Sequence, residues 1–207
     1  MRCDDLEAVL LDMDGVVVDS REAWFRAFQE AAGVERATFE AEFWGRDLED
    51  NLAAVGAEPR SFCQEVFPRH ADAVVPATGA RETLEALRAG GLMLALITNT
   101  TADCTRGILR RFGMDVLFDE IVTVDAVRGG KPRPDPIELA CSRLDIAPGC
   151  ALMVGDSAHD IAAGRRAGAR TVGLGIDGDE RITDIRELAP LLGLAPAPGP
   201  VAGGDQA

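Results

Sequence analysis

Two periodicities alternate along this chain. Short, largely apolar runs occur at residues 8–11, 92–98, 120–124, 151–155 and 170–174. Runs of this length, bounded by polar or glycine positions, read as strands buried on both faces, as in parallel sheets. Between them, apolar residues recur at helical spacing over 79–89, 102–112, 134–145 and 158–167, and a last helix is expected over 183–192. Strands alternating with helices imply an α/β fold, a doubly wound parallel sheet with helices on both faces. The stretch after the first strand departs from this rhythm. It carries helical patterns over 21–33, 36–43, 47–55 and 60–73, the first stopping at Gly33 and the others separated by Gly45-Arg46 and Glu58-Pro59. Residues 20–76 therefore read as a small all-helical insert into a core made of 1–19 and 77–194. The segment 195–207, rich in Pro, Gly and Ala, is expected to be a disordered tail.

Composition narrows the partners. The net charge of −14 repels nucleic-acid backbones and anionic membrane surfaces. No apolar run approaches the roughly 20 residues of a spanning helix, and residues 1–7 lack the basic start and apolar stretch of a signal peptide. The expectation is a soluble, cytoplasmic protein that binds neither nucleic acid nor membrane, with its oligomeric state unspecified. The five cysteines show no Cys-x-x-Cys spacing, so they are expected to be reduced, mostly buried, small apolar side chains. Only His70 and His159 are available as imidazoles, which excludes a histidine-rich metal site. Of 21 basic residues a single one, Lys131, is lysine. A lone lysine in a chain that otherwise uses arginine suggests a place for a compact ammonium rather than a planar guanidinium.

The polar residues that carry chemistry cluster at strand ends. In doubly wound sheets ligands bind beyond the carboxyl ends of the strands, where strand order reverses. Four such ends carry polar groups: Asp12 and Asp14; Thr98-Asn99-Thr100; residues 123–125, leading on to Lys131; and Gly155-Asp156-Ser157. Asp12 and Asp14 are two residues apart, so they point the same way and repel unless a cation or a proton sits between them. Asp156 with Asp12 offers oxygen ligands suited to magnesium, which keeps waters and takes few carboxylates. Asp160, one helical turn on, is placed either to reach the metal through water or to orient Lys131. Thr98 presents a hydroxyl suited to a phosphoryl oxygen, and Lys131 an ammonium.

Together these residues resemble the four motifs of the haloacid dehalogenase-like hydrolase superfamily, in order and spacing, from about Val9 to Gly175. The motifs are Asp12-Met13-Asp14-Gly15-Val16, Thr98-Asn99-Thr100, Lys131-Pro132 and Gly155-Asp156-Ser157-Ala158-His159-Asp160. The pattern Gly130-Lys131-Pro132-Arg133-Pro134-Asp135-Pro136 is most similar to the phosphoglycolate phosphatase-like branch, whose small helical cap the insert resembles. The resemblance implies a Rossmann-like core and a magnesium-dependent phosphatase. It implies Asp12 as nucleophile, Asp14 as acid and then base, and Thr98 and Lys131 as holders of the phosphoryl oxygens, with Asn99 beside them. Magnesium would be held by Asp12, the Asp14 carbonyl and Asp156. The segments Gly15-Val16 and Pro76-Ala77 resemble the hinges of that cap. Asp14 distinguishes phosphate-ester chemistry from dehalogenation, because a departing halide needs no proton.

The substrate implied is a small phosphorylated metabolite, phosphoglycolate-like or a sugar phosphate. Arg46, in Phe43-Trp44-Gly45-Arg46-Asp47 between two cap helices, either meets a substrate carboxylate or faces solvent. Trp24, Phe25 and Phe28, at helical spacing, are expected in the cap core rather than against substrate. Two alternatives stand beside the phosphatase. One is a phosphomutase similar to beta-phosphoglucomutase, disfavoured because Arg21-Glu22-Ala23-Trp24-Phe25 lacks the histidine of that branch. The other is a non-catalytic phosphate-binding regulator on the same fold.

Overall fold

The computed structural model describes residues 5–195. The tail expectation, all but Ala195, and Cys3 lie outside the described residues. Six strands form one parallel sheet: β1 (Ala8–Leu11), β4 (Met93–Ile97), β5 (Glu120–Val122), β6 (Ala151–Gly155), β7 (Arg170–Leu174) and β8 (Glu180–Ile182). Their order is β5-β4-β1-β6-β7-β8. The chain winds outward from β1 in both directions, so strand order reverses beside β1, and Asp12 follows it directly.

Each run is apolar because both sides of the sheet are covered. Successive side chains alternate: Val9 and Leu11 join a core shared with the cap and with α5 (Ala80–Ala89) and α6 (Ala102–Arg111). Ala8 and Leu10 join the opposite core, under α7 (Asp135–Arg143) and α8 (Ala158–Ala167). Helix α9 (Leu188–Leu191) closes the described chain, shorter than the expected 183–192 and preceded by a 3-10 turn at Ile185–Glu187. β8 was not foreseen; its Glu-Arg-Ile sequence is exposed at two of three positions and shows no apolar run.

The insert is helical but less regular than its periodicity suggests. α1 (Arg21–Ala32) ends at Gly33, whose φ of 66° lets its N–H close on Gln29. α2 (Arg36–Thr38) runs into a π turn, Phe39–Phe43, and α4 (Pro59–Ser61) into another, Phe62–Val66. Between them lies α3 (Leu48–Ala54). The two chain crossings between insert and core pair as an antiparallel ribbon, β2 (Val18–Asp19) with β3 (Val75–Pro76), also unforeseen. A two-residue strand leaves no readable periodicity.

The expectation of reduced cysteines is corrected for Cys63, Cys104 and Cys150, all of which are disulfide-bonded. Cys63 on the second π turn and Cys104 on α6 form a disulfide that joins insert to core. Their spacing of 41 residues spans the insert boundary, so no local motif announces the pair. Cys141 is free and buried, as expected. Among the described residues no helix is long and apolar enough to cross a membrane. A link closing a loop of that length stabilises by about 2–4 kcal/mol. Cys63→Ser and Cys104→Ser are each expected to lower the melting midpoint by roughly 5–15 °C in calorimetry, with the double variant no lower than either single one. An additive double variant would mean the bond is not formed.

Candidate active site

Asp12 emerges from β1 with its N–H held by the Val154 carbonyl of β6 at 3.0 Å. Its carboxylate is 8% exposed. Oδ1 accepts from Met13 N–H at 2.7 Å and from Lys131 Nζ at 2.6 Å. The same ammonium donates to the Ile97 carbonyl at 2.8 Å and forms an ion pair with Asp160 Oδ1 at 2.7 Å, a contact without hydrogen-bond geometry. Burial alone would lower the Lys131 pKa, but the two carboxylates raise it, and it stays charged. Asp12 is raised well above the usual carboxylate range, first by burial and then by the charge of Asp160, with Lys131 opposing.

The supports of Lys131 are local and specific. Asn99 Nδ2 donates to the Lys131 carbonyl and Asn99 Oδ1 accepts from the Lys131 N–H, both at 2.8 Å. Asn99 thus clamps the lysine's backbone with one N–H and one lone pair of its amide while it also lines the cavity. Asp160, at the start of α8, accepts through Oδ2 from Ser157 N–H at 3.0 Å and Oγ at 2.6 Å. That arrangement fixes its other oxygen toward Lys131, one of the two roles its sequence position allowed. Gly155 makes room for it, since a Cβ there would lie 2.1 Å from the Asp160 Cβ.

Asp14 Oδ1 accepts from Ser20 Oγ and, at 2.9 Å, from Trp24 Nε1; Oδ2 accepts from Thr100 Oγ1 at 3.3 Å. Its pKa is raised by burial, with the Ser20 and Trp24 bonds acting against that. Trp24 packs in the insert core, as expected, and in addition ties that core to Asp14. Ser20 precedes α1 and Trp24 lies one turn on, so both face back to the Asp14 strand end; that i, i+4 spacing was the available signal. Ser20 occupies the helix N-cap yet makes no capping bond, because its hydroxyl is turned to Asp14.

Asp156 lies beside Gly15, whose φ is +85° and where a Cβ would stand 2.0 Å from Asp156 Oδ2. Its pKa is pushed up to about 6 by burial and then by the Asp160 charge. Asp12, Asp156 and Asp160 each bring one carboxylate oxygen to within 4.8 Å of the others, an all-oxygen donor set that fits a hard divalent cation.

A cavity of about 550 Å³, counting its open mouth, lies between insert and core. Asp12, Asp14, Asn99, Thr100, Lys131, Asp156, Ser157 and Asp160 line it from the core. From the insert come Trp24, Phe28, Phe39, Phe43, Trp44, Arg46, Leu48 and Asn51 with Gly45. Phe28, like Trp24, thus lies on the cavity wall as well as in the insert core, while Phe25 packs against Phe39. Thr98 stands one layer behind: it is 1% exposed and its hydroxyl accepts from Thr100 N–H at 3.1 Å. Arg46 is exposed and makes no ion pair among the described residues. Beside the Ser20 and Trp24 bonds to Asp14, the insert meets the core through Leu48 N–H to the Asn99 carbonyl at 3.1 Å, His159 Nδ1 to the Gly45 carbonyl at 3.1 Å and Gln64 Nε2 to Asp103 Oδ2 at 3.0 Å.

Residues 9–174 match the family model described as haloacid dehalogenase-like hydrolase. The chain belongs to the haloacid dehalogenase-like hydrolases. It is 32% identical over 180 residues to pyrophosphatase PpaX of Bacillus velezensis, covering 81% of this chain and 82% of that protein. It is 31% identical over 181 residues to validoxylamine A 7'-phosphate phosphatase of Streptomyces hygroscopicus subsp. limoneus, covering 81% and 85%. A solved haloacid dehalogenase family hydrolase from Deinococcus radiodurans R1, with bound phosphate and sodium, is 28% identical with a TM-score of 0.72, covering 94% of this chain and all (100%) of that one.

Replacing Lys131 by Met would leave Asp12 and Asp160 buried without their cation. Lys131→Met is expected to destabilise the fold by about 3–5 kcal/mol in denaturant unfolding. Arg46→Ala, at an exposed position, should stay within about 0.5 kcal/mol.

Proposed function

We propose that this chain is a magnesium-dependent phosphatase that hydrolyses a small phosphate monoester through an aspartyl-phosphate on Asp12. The observation that carries the reading is the division of labour within the two carboxylates. Asp12 Oδ1 is held by Lys131 and Met13, which leaves Oδ2 as the attacking oxygen. Asp14 Oδ1 accepts from Ser20 and from Trp24, an indole that can only donate, so a proton on Asp14 resides on Oδ2. Burial raises the Asp14 pKa, which suits an acid that must hold that proton.

In the first step Asp12 Oδ2 bonds to phosphorus and the bond to the leaving oxygen breaks. The departing electron pair takes the proton from Asp14 Oδ2. In the second step Asp14 removes a proton from water, the water oxygen bonds to phosphorus, and Asp12 leaves as carboxylate. Lys131 offsets charge on Asp12 throughout, and the Asn99–Thr100 segment lining the cavity, braced by Thr98 behind it, supports the phosphoryl oxygens. Magnesium held by Asp12, Asp156 and the Asp14 carbonyl would neutralise the phosphate and lower the repulsion between two anions. The raised pKa values of Asp12 and Asp156 fit a site that expects such a cation.

Asp12→Asn is expected to abolish magnesium-dependent release from p-nitrophenyl phosphate; near-normal turnover would overturn the reading. Asp14→Asn should lower turnover about 10²–10⁴-fold. With this good leaving group it should accumulate phosphate covalently on Asp12 in rapid-quench labelling, because the hydrolytic step lacks its base. Lys131→Arg should also be damaging, since a planar guanidinium cannot take the place of a compact ammonium among the three oxygens around Nζ.

Asp156 binds its proton more tightly folded than unfolded, because its pKa of about 6 lies above the usual 3.8. The resulting stabilisation is complete below about pH 4 and is lost as pH rises through about 6. Magnesium competes with that proton. Its effect on the melting midpoint is therefore expected to be large at pH 7.5 and to shrink below pH 6; a pH-independent increment would place the cation elsewhere.

A further inference from the structure

We propose that the alcohol released from the substrate is uncharged and apolar or ring-bearing, not a second anion; this rests on the phosphatase reading above. The wall facing the reacting carboxylates is built by the insert from Trp24, Phe28, Phe39, Phe43, Trp44 and Leu48. These side chains are held as one aromatic face: Phe28 lies 5.3 Å from Phe43, and Phe39 lies 6.0 Å from Trp44, between ring centroids. The π turn places Phe39 and Phe43 together on the wall. Phe43 and Trp44 are half-buried, so their rings retain surface for a ligand.

Cations for an anionic leaving group are missing from this wall. Lys131 donates to Asp12 and to the Ile97 carbonyl and is paired with the charge of Asp160, so its ammonium is turned to the core side of the cavity. Arg21 lies over the Trp44 ring at 4.7 Å and lines the adjoining cavity beside Asp156, not the aromatic wall. Arg46 is the one arginine lining the cavity, and it is exposed. The opposite side already carries four carboxylates, Asp12, Asp14, Asp156 and Asp160. A second phosphate or a glycolate carboxylate on the insert side would have to shed water against aromatic rings, with a single exposed guanidinium lining that wall to meet it. A neutral ring instead gains offset or edge contact with Phe43 and Trp44.

The test compares kcat/KM for benzyl phosphate, phosphoglycolate and inorganic pyrophosphate, with magnesium. A thiol reductant is present so that the Cys63–Cys104 bond does not hold insert and core together. Benzyl phosphate is chosen over phenyl phosphate because its alkoxide is a poor leaving group, like that of glycolate, and intrinsic reactivity cannot create the preference. The expected result is a preference for benzyl phosphate of about tenfold or more over both anionic substrates, seen mainly in KM. Phe43→Ala and, separately, Trp44→Leu should shrink that ratio several-fold. A preference for pyrophosphate or phosphoglycolate would overturn the inference while leaving the phosphatase intact. Thermal shift with two unreactive phosphonates separates the failures further. Benzylphosphonate should stabilise more than phosphonoacetate even in a protein without turnover, and the reverse order would overturn the inference. Silence with every ester and with pyrophosphate would instead overturn the phosphatase reading on which it rests.

Discussion

The Lys131 ammonium, buried between Asp12 and Asp160, is the constraint on which the site depends. A charge in that position is tolerable only when it is paired and hydrogen-bonded, and three different elements surround it: the ends of β1 and β4 accept its hydrogen bonds and the first turn of α8 supplies a second opposite charge. The lysine is in turn held by its backbone through Asn99. Two strand ends and a helix start thus converge on a single nitrogen, and the doubly wound topology is what brings them together. The single lysine among the chain's basic residues sits where a compact ion is required.

Much of this was legible in the chain. Asp12, Asp14, Lys131 and Asp156 stand at strand ends, and strand ends follow from continuous apolar runs that need no tertiary information. Strands 151–155 and 170–174 and the helix 158–167 coincide with β6, β7 and α8 to the residue, because both faces of each strand are buried and the helix begins at a serine. What escaped reading depends on long-range proximity or on elements too short to show a period. β8, the β2–β3 ribbon and the π turns belong to the second class. The Cys63–Cys104 bond and the Asn99 clamp belong to the first. Asn99 was read as a ligand for substrate, since an amide beside a phosphate-binding strand end is chemically suited to that; the structure turns it to the lysine loop. Trp24 looked like helix packing, and it packs, but its indole N–H also ends at Asp14.

The helical insert is coupled to the chemistry through groups that ordinary helix formation would have used otherwise. Ser20 gives up the capping bond of α1 to reach Asp14. The Leu48 N–H, an unpaired donor at the start of α3, is satisfied by the core's Asn99 carbonyl rather than by its own segment. Asn99 therefore takes part in both presenting the lysine and seating the insert. Its amide serves one and its carbonyl the other, so a shift of this strand end is felt on both sides of the cavity.

The Cys63–Cys104 bond changes the mechanics of that seating. A body joined to another through two neighbouring strands keeps a rotational freedom about the line of the ribbon and can swing like a door. A third covalent anchor away from that line restrains the swing. Any movement that widened the cavity would have to carry the Cys63 turn and α6 together, so the bond makes α6 part of the insert's footing.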